Sequence, residues 1–190
     1  MPAITSPHFS TKERILSAAE TLFAEHGFAG TSLRQVTGRA DVNLAAVNYH
    51  FGSKDNLVAE VFRRRMDEMS QARLEMLQQA REQSPLQLEA VLRAFIEPAL
   101  ALSLNREGGG AFVRVLARAY AERNDRLRRF LSDNYGHVLR EFSRALADCA
   151  PVLDKEALYW RLDFLAGALT YAMADFGLLR RGGDADEKAH

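Results

Sequence analysis

The residues best suited to do chemistry lie between Thr31 and Lys54, and their types suit recognition rather than bond-breaking. Asn43, Leu44, Ala45, Ala46, Asn48, Tyr49 and His50 fall on one short stretch with helical spacing. Ala45 and Ala46 are small enough to let a helix approach base edges, where their methyls can meet thymine methyls. Asn48 carries the amide that pairs bidentately with adenine. Tyr49, His50 and Lys54 have donors that reach phosphate oxygens, and such contacts set register while base contacts set sequence. Lys54 also opens a helix, whose N-terminal NH groups favour an anion.

A stretch of this length is too short to hold its helix alone, so flanking elements must position it. Apolar residues recur at three and four throughout, with few β-branched runs and no hairpin turn pair, which predicts an all-α protein. The first helix is expected from about Thr11 to His26, capped by Thr11, with Ile15, Ala19, Leu22 and Phe23 on one stripe and Gly27 ending it. Thr31 or Ser32 caps a short second helix carrying Leu33, Val36 and Ala40. Asp41-Val42-Asn43 makes a turn, Asn43 caps the short third helix, and Ser53 caps a long fourth, 54–82. Two short helices joined by a tight turn between longer ones form a helix-turn-helix. Further helices are expected at about 86–104, 111–123, 125–149 and 154–180. The expected organisation is a mobile N-terminal arm (1–10) and a three-helix helix-turn-helix DNA-binding domain (11–53). A larger helical ligand-binding and dimerisation domain follows (54–181), joined through helix 54–82, and a disordered tail closes the chain (182–190).

The rest of the chain argues against catalysis. His8, His26, His50, His137 and His190 are scattered with no pair at helical spacing, and Cys149 is the sole cysteine, so neither a metal site nor a cofactor is expected. Gly108-Gly109-Gly110 lacks the lysine and hydroxyl residue of a phosphate loop and reads as a flexible connector. Arg63-Arg64-Arg65 reads as a solvated face of the fourth helix. At 47% hydrophobic the chain can bury a sizeable core, yet no apolar run is long enough to span a bilayer. No signal peptide is evident, and a soluble cytoplasmic protein, not an enzyme and without a membrane partner, is expected. Net charge is zero, with a slight basic excess up to Arg65 and a slight acidic excess after it.

From Gly27 to Leu57 the sequence GFAGTSLRQVTGRADVNLAAVNYHFGSKDNL closely resembles the DNA-binding signature of TetR-family regulators. Gly27, Thr31-Ser32, Val36, Ala40, Val42, Val47, Tyr49-His50-Phe51, Lys54 and Leu57 carry the match. The resemblance implies DNA contacts from Thr31, Ser32 and Arg34 on the second helix, from Asn43 to His50 on the recognition helix, and from Lys54. It also implies a symmetric dimer on double-stranded DNA, repressor activity, and a C-terminal domain that senses a small molecule.

In the last helix Leu158, Leu162, Leu165, Leu169 and Met173 form one apolar stripe, and Trp160, Phe164, Gly167, Tyr171 and Leu178 a second. A helix apolar on two faces needs cover on both, so the second stripe is assigned to a homodimer interface. A ligand pocket is expected among Phe112, Leu116, Arg118, Tyr120, Tyr135, His137, Val138, Arg161 and Phe164, with Arg118, His137 and Arg161 suited to a carboxylate or acyl group. The segments FVRVLARAY (112–120), LRRFLSDNYGHVLREF (127–142) and LYWRLDFLAGALTYAM (158–173) are similar to the PsrA-like, fatty-acid-responsive branch of the family, which implies a fatty acid or acyl-CoA effector. The alternative reading of the same residues is a small-molecule or acyl-binding helical protein that does not bind DNA.

Overall fold

A computed structural model describes residues 10–105, 108–122 and 124–174. The described residues are helical, without a strand, in the order α1 (Thr11–Gly30), α2 (Leu33–Ala40), α3 (Leu44–Phe51), α4 (Lys54–Arg81), α5 (Leu88–Leu104), α6 (Gly109–Ala121), α7 (Asp125–Cys149) and α8 (Lys155–Ala174). The expected all-α class is observed. The arm before Ser10, the tail and Leu178 lie outside the described residues.

Local chemistry sets most helix ends. Ser10, rather than Thr11, caps α1: its hydroxyl accepts from Glu13 N while Glu13 accepts from Ser10 N, a reciprocal capping box. α1 is interrupted at Gly27, whose φ of 75° suits glycine, so the amides beyond it cannot reach the carbonyls before it. Side chains of α6 replace those lost bonds. Arg118 donates from Nε to Ala24 O (3.0 Å) and from Nη2 to Glu25 O (2.9 Å), while Glu122 accepts from Phe28 N (3.2 Å). Arg118 and Glu122 are one helical turn apart, and together they fasten α6 to the kink.

Two apolar cores stack along α4. The first joins α1, α2, α3, the first half of α4, α6 and the start of α7, with Phe23, Val36, Val47, Phe62 and Phe112 sealed inside it. The second holds Leu77 of α4 with Val91, Phe95, Phe142, Leu158 and Leu162 from α5, α7 and α8. At 1.5 Å per residue, the 28 residues of α4 span roughly 40 Å, enough to serve both cores.

The arginine run of α4 departs from the solvated face read from the sequence. Arg63 pairs with Glu60 and lies over the Phe130 ring, and Arg64 donates to the Ser17 hydroxyl. Arg65 turns inward and forms a two-bond ion pair with Glu20 of α1, both side chains under 10% exposed. Gly108-Gly109-Gly110 is also more than a connector. Gly109 and Gly110 begin α6, and a Cβ on Gly109 would fall 1.8 Å from Leu102 O, so the backbones approach as only glycine allows.

Candidate nucleic-acid interface and effector cavity

The two short helices are fixed from beneath and open above. Ser32 and Gln35 form a capping box on α2, Asp41 adopts the left-handed conformation that ends it, and Asn43 accepts from Ala46 N (2.8 Å) to start α3. Arg14 of α1 locks the turn by donating from Nη2 to Ala40 O (2.6 Å) and Asp41 O (2.7 Å), a role not anticipated from the sequence. Val47 and Phe51 point down and are buried, with Leu33, Val42 and Ala46 half-buried around them.

The opposite face of α3 is exposed. Leu44, Ala45, Asn48, Tyr49 and His50 are exposed, Tyr49 to 86%, and the Tyr49 and His50 rings meet edge-on at 5.1 Å. Arg34 is exposed on α2, and Lys54 lies half-buried in the first turn of α4, where Ser53 caps the helix. Asp41 and Asp55, which flank α3, are paired with Arg14 and Arg126, which offsets acid charge beside this face. Thr31 is a correction: it is 2% exposed and its hydroxyl donates to Leu22 O and Gly27 O, so the side chain is a structural tie beneath the kink rather than a surface donor. Ser32 and Asn43 are exposed, but their side-chain oxygens are engaged in capping, which leaves the Asn43 amide NH2 as its outward group.

Between α4, α5, α6, α7 and α8 lies a cavity of about 270 Å³ with a mostly apolar lining. Of the residues assigned to a pocket from the sequence, Phe112, Leu116, Tyr120, Tyr135 and Val138 line it. Met66, Met69, Arg73, Phe95, Leu139 and Met173 join them from positions the sequence did not suggest. Arg73 donates from Nε to Phe95 O (2.9 Å), and its guanidinium carbon sits 4.0 Å above the Phe95 ring. This is the part of α5 where Pro98 interrupts the ladder. Burial lowers the Arg73 pKa to about 10, which leaves it charged at neutral pH. Tyr120 is just over half exposed, yet its hydroxyl end is shielded near Arg73 and Thr170, and that desolvation raises its pKa.

Residues 93–190 match the family model described as "Tetracyclin repressor-like, C-terminal domain", and residues 15–61 match "Bacterial regulatory proteins, tetR family". The chain belongs to the TetR family. It is 53% identical over 47 residues to the HTH-type transcriptional repressor Rv3405c of Mycobacterium tuberculosis, an alignment covering 25% of each chain. The chain thus spans about a quarter of the length of the curated relatives it matches. In three dimensions it is similar to the TetR family regulator PfmR of Thermus thermophilus (TM-score 0.66, 20% identity, 88% of this chain and 87% of that one). AmtR of Mycobacterium smegmatis is comparably similar (TM-score 0.66, 22% identity, 90% and 80%).

Four expected pocket residues of this TetR-family chain do not line its cavity. Arg118 faces α1 and is spent on the carbonyls at the kink. His137 and Arg161 lie on exposed outer faces of α7 and α8, where Arg161 donates to Ala157 O within its own helix. Phe164 is 78% exposed. Helical register explains all four, because each sits on a face of its helix turned away from the space between α4 and α8. The second stripe of α8, Trp160, Phe164, Gly167 and Tyr171, is exposed.

Proposed function

We propose that this chain is a DNA-binding transcriptional regulator of the cytoplasm, working as a two-fold dimer and released from a palindromic operator by a small apolar or acyl ligand. The observation that carries this reading is the outward face of α3, where Ala45, Asn48 and Tyr49 stand free while Val47 and Phe51 anchor the helix from below. A rigid, exposed helix of this kind enters a major groove with little reorganisation. Segment 11–53 is the reading head; segment 54–181 senses the ligand and dimerises through Trp160, Phe164, Gly167 and Tyr171. The matched relative's description as a transcriptional repressor supports repression. The apolar cavity supports a ligand of the kind taken by the PsrA-type branch. The test is selection of bound duplexes from random DNA: an enriched palindrome supports the reading, and none refutes it in favour of an acyl-binding protein without DNA function.

Two substitutions at this face separate base from phosphate contacts. Asn48→Ala is expected to relax preference at one base pair per half-site by about 1–3 kcal/mol. Lys54→Ala is expected to weaken all sites alike and to flatten the dependence of log affinity on log salt by roughly one for each phosphate no longer neutralised. Fluorescence anisotropy on matched and mismatched duplexes at several salt concentrations reads both. Unchanged base preference in Asn48→Ala would remove it from the reading set.

The α8 stripe makes its own prediction. Phe164→Asp places a charge in the centre of the assigned dimer face and should give a folded monomer by light scattering, with operator affinity reduced at least tenfold. A dimer that survives this change places the interface elsewhere.

A further inference from the structure

Arg65 and Arg73 lie two turns apart on α4, both buried, and among the described residues only Arg65 meets an acid. Arg65 is matched by Glu20. Arg73, 9% exposed, has no carboxylate within 4 Å among the described residues. Its Nε is satisfied by Phe95 O, but Nη1 and Nη2 make no hydrogen bond to the described residues. Among the described residues no buried side-chain nitrogen or oxygen is sealed off without a partner, so these two groups reach open space, and the space Arg73 lines is the cavity. Among the lining residues the other formal charge is Asp163 of α8, which acts on Tyr120. The remaining surface is largely Met, Phe, Leu and Val, with the Tyr120 hydroxyl near the guanidinium.

A buried cation without a counter-ion is costly to hold, and the cost is relieved by an anion that arrives with the ligand. A planar guanidinium with two free NH2 groups matches a carboxylate in a two-bond fork. We propose that the cavity takes an anionic amphiphile, a free monocarboxylate with a medium-length apolar body, whose carboxylate pairs with Arg73 while its body lies against Met69, Phe112, Leu116 and Leu139. The proposal rests on reading this cavity as the effector site and is independent of whether α3 binds DNA. Its volume, about 270 Å³, lies just under the roughly 300–1,000 Å³ usual for small-molecule sites, which disfavours a whole nucleotide-bearing thioester. A thioester also lacks the carboxylate that Arg73 would pair.

The experiment is calorimetry on the purified full chain without DNA, using decanoate, decan-1-ol and decanoyl-CoA. Decanoate is expected to bind once per chain and at least tenfold more tightly than decan-1-ol or the thioester. Arg73→Met should abolish the preference, leaving decan-1-ol bound as well as decanoate, and Arg73→Lys should restore part of it. Equal binding of acid and alcohol by the unsubstituted protein overturns the pairing while leaving an apolar effector site in place, and this comparison needs no variant to fold. Tighter binding of decanoyl-CoA than of decanoate overturns the free acid. No binding of any of the three overturns both the pairing and the effector reading, while selection of bound DNA decides the operator reading separately.

Discussion

Glu20→Ala is expected to destabilise the protein by about 3–5 kcal/mol, because it removes the buried carboxylate that accepts two hydrogen bonds from the Arg65 guanidinium. The Arg65 Nε and Nη2 atoms lie 3.0 and 3.1 Å from the two Glu20 oxygens, so both arms of the carboxylate are used. The pair joins α1 to α4 inside the first core, where water cannot replace a lost partner. Removing both charges is a different experiment. Glu20→Met with Arg65→Met restores apolar packing without either desolvation penalty and is expected to recover most of the loss. Thermal melts at fixed protein concentration would read the single variant as a fall of roughly 6–20 °C for a chain of this size. A single variant within 1–2 °C of the parent, or a double variant no better than the single, would show that the pair is not held dry. Gly108 bounds the same site: a Cβ there would fall 2.5 Å from a Glu20 oxygen, at a φ of 103° that disfavours any other residue.

That ion pair was visible in the sequence as an anomaly that periodicity alone discards. Glu20 sits one turn from Leu16 and from Ala24, and Arg65 one turn from Val61 and from Met69, so each is a charge in an otherwise apolar stripe. Arg73 repeats the signal between Met69 and Leu77. A charged residue on a core-facing stripe needs either a partner or a ligand, and Glu20, Arg65 and Arg73 all carry that mark in the sequence. The helix-turn-helix was legible because its logic is local. Caps, the turn at Asp41 and the alternation of Val47 and Phe51 with Asn48 and Tyr49 are short-range features that fix which side of α3 faces out. The cavity was only half legible. Its apolar walls follow from the stripes of α6 and α7, but whether Arg118 or Arg73 points inward depends on how five helices rotate against one another, which no single stripe encodes. The kink at Gly27 decided the matter for Arg118, because the carbonyls it exposes require donors.

The same geometry makes Phe112 a residue through which occupancy of the cavity would be felt by the first core. Phe112 is fully buried, meets Phe62 edge-on at 5.5 Å inside the first core, and also lines the cavity. One turn on, Leu116 does the same, and the next two turns of α6 carry the Arg118 and Glu122 ties to α1. A ligand that displaces the Phe112 ring therefore acts on α6 and its ties to α1, and through Phe62 on α4 as well. Phe112→Ala is expected to cost about 3–5 kcal/mol in stability and to bring the effect of ligand on operator affinity close to zero, from a starting coupling of about 1–3 kcal/mol. Phe142→Ala is the matched control. It is as deeply buried, packs edge-on against Phe95 at 5.1 Å in the second core, and stands apart from the head's core, so a similar loss of stability should leave coupling intact. Operator binding by both variants, with and without saturating decanoate, separates the two effects. Equal loss of coupling in both would mean that general loosening, not the shared wall of α6, carries the signal. Loss confined to Phe112→Ala would place the transmission at the one aromatic ring among the described residues that belongs to both the cavity lining and the first core.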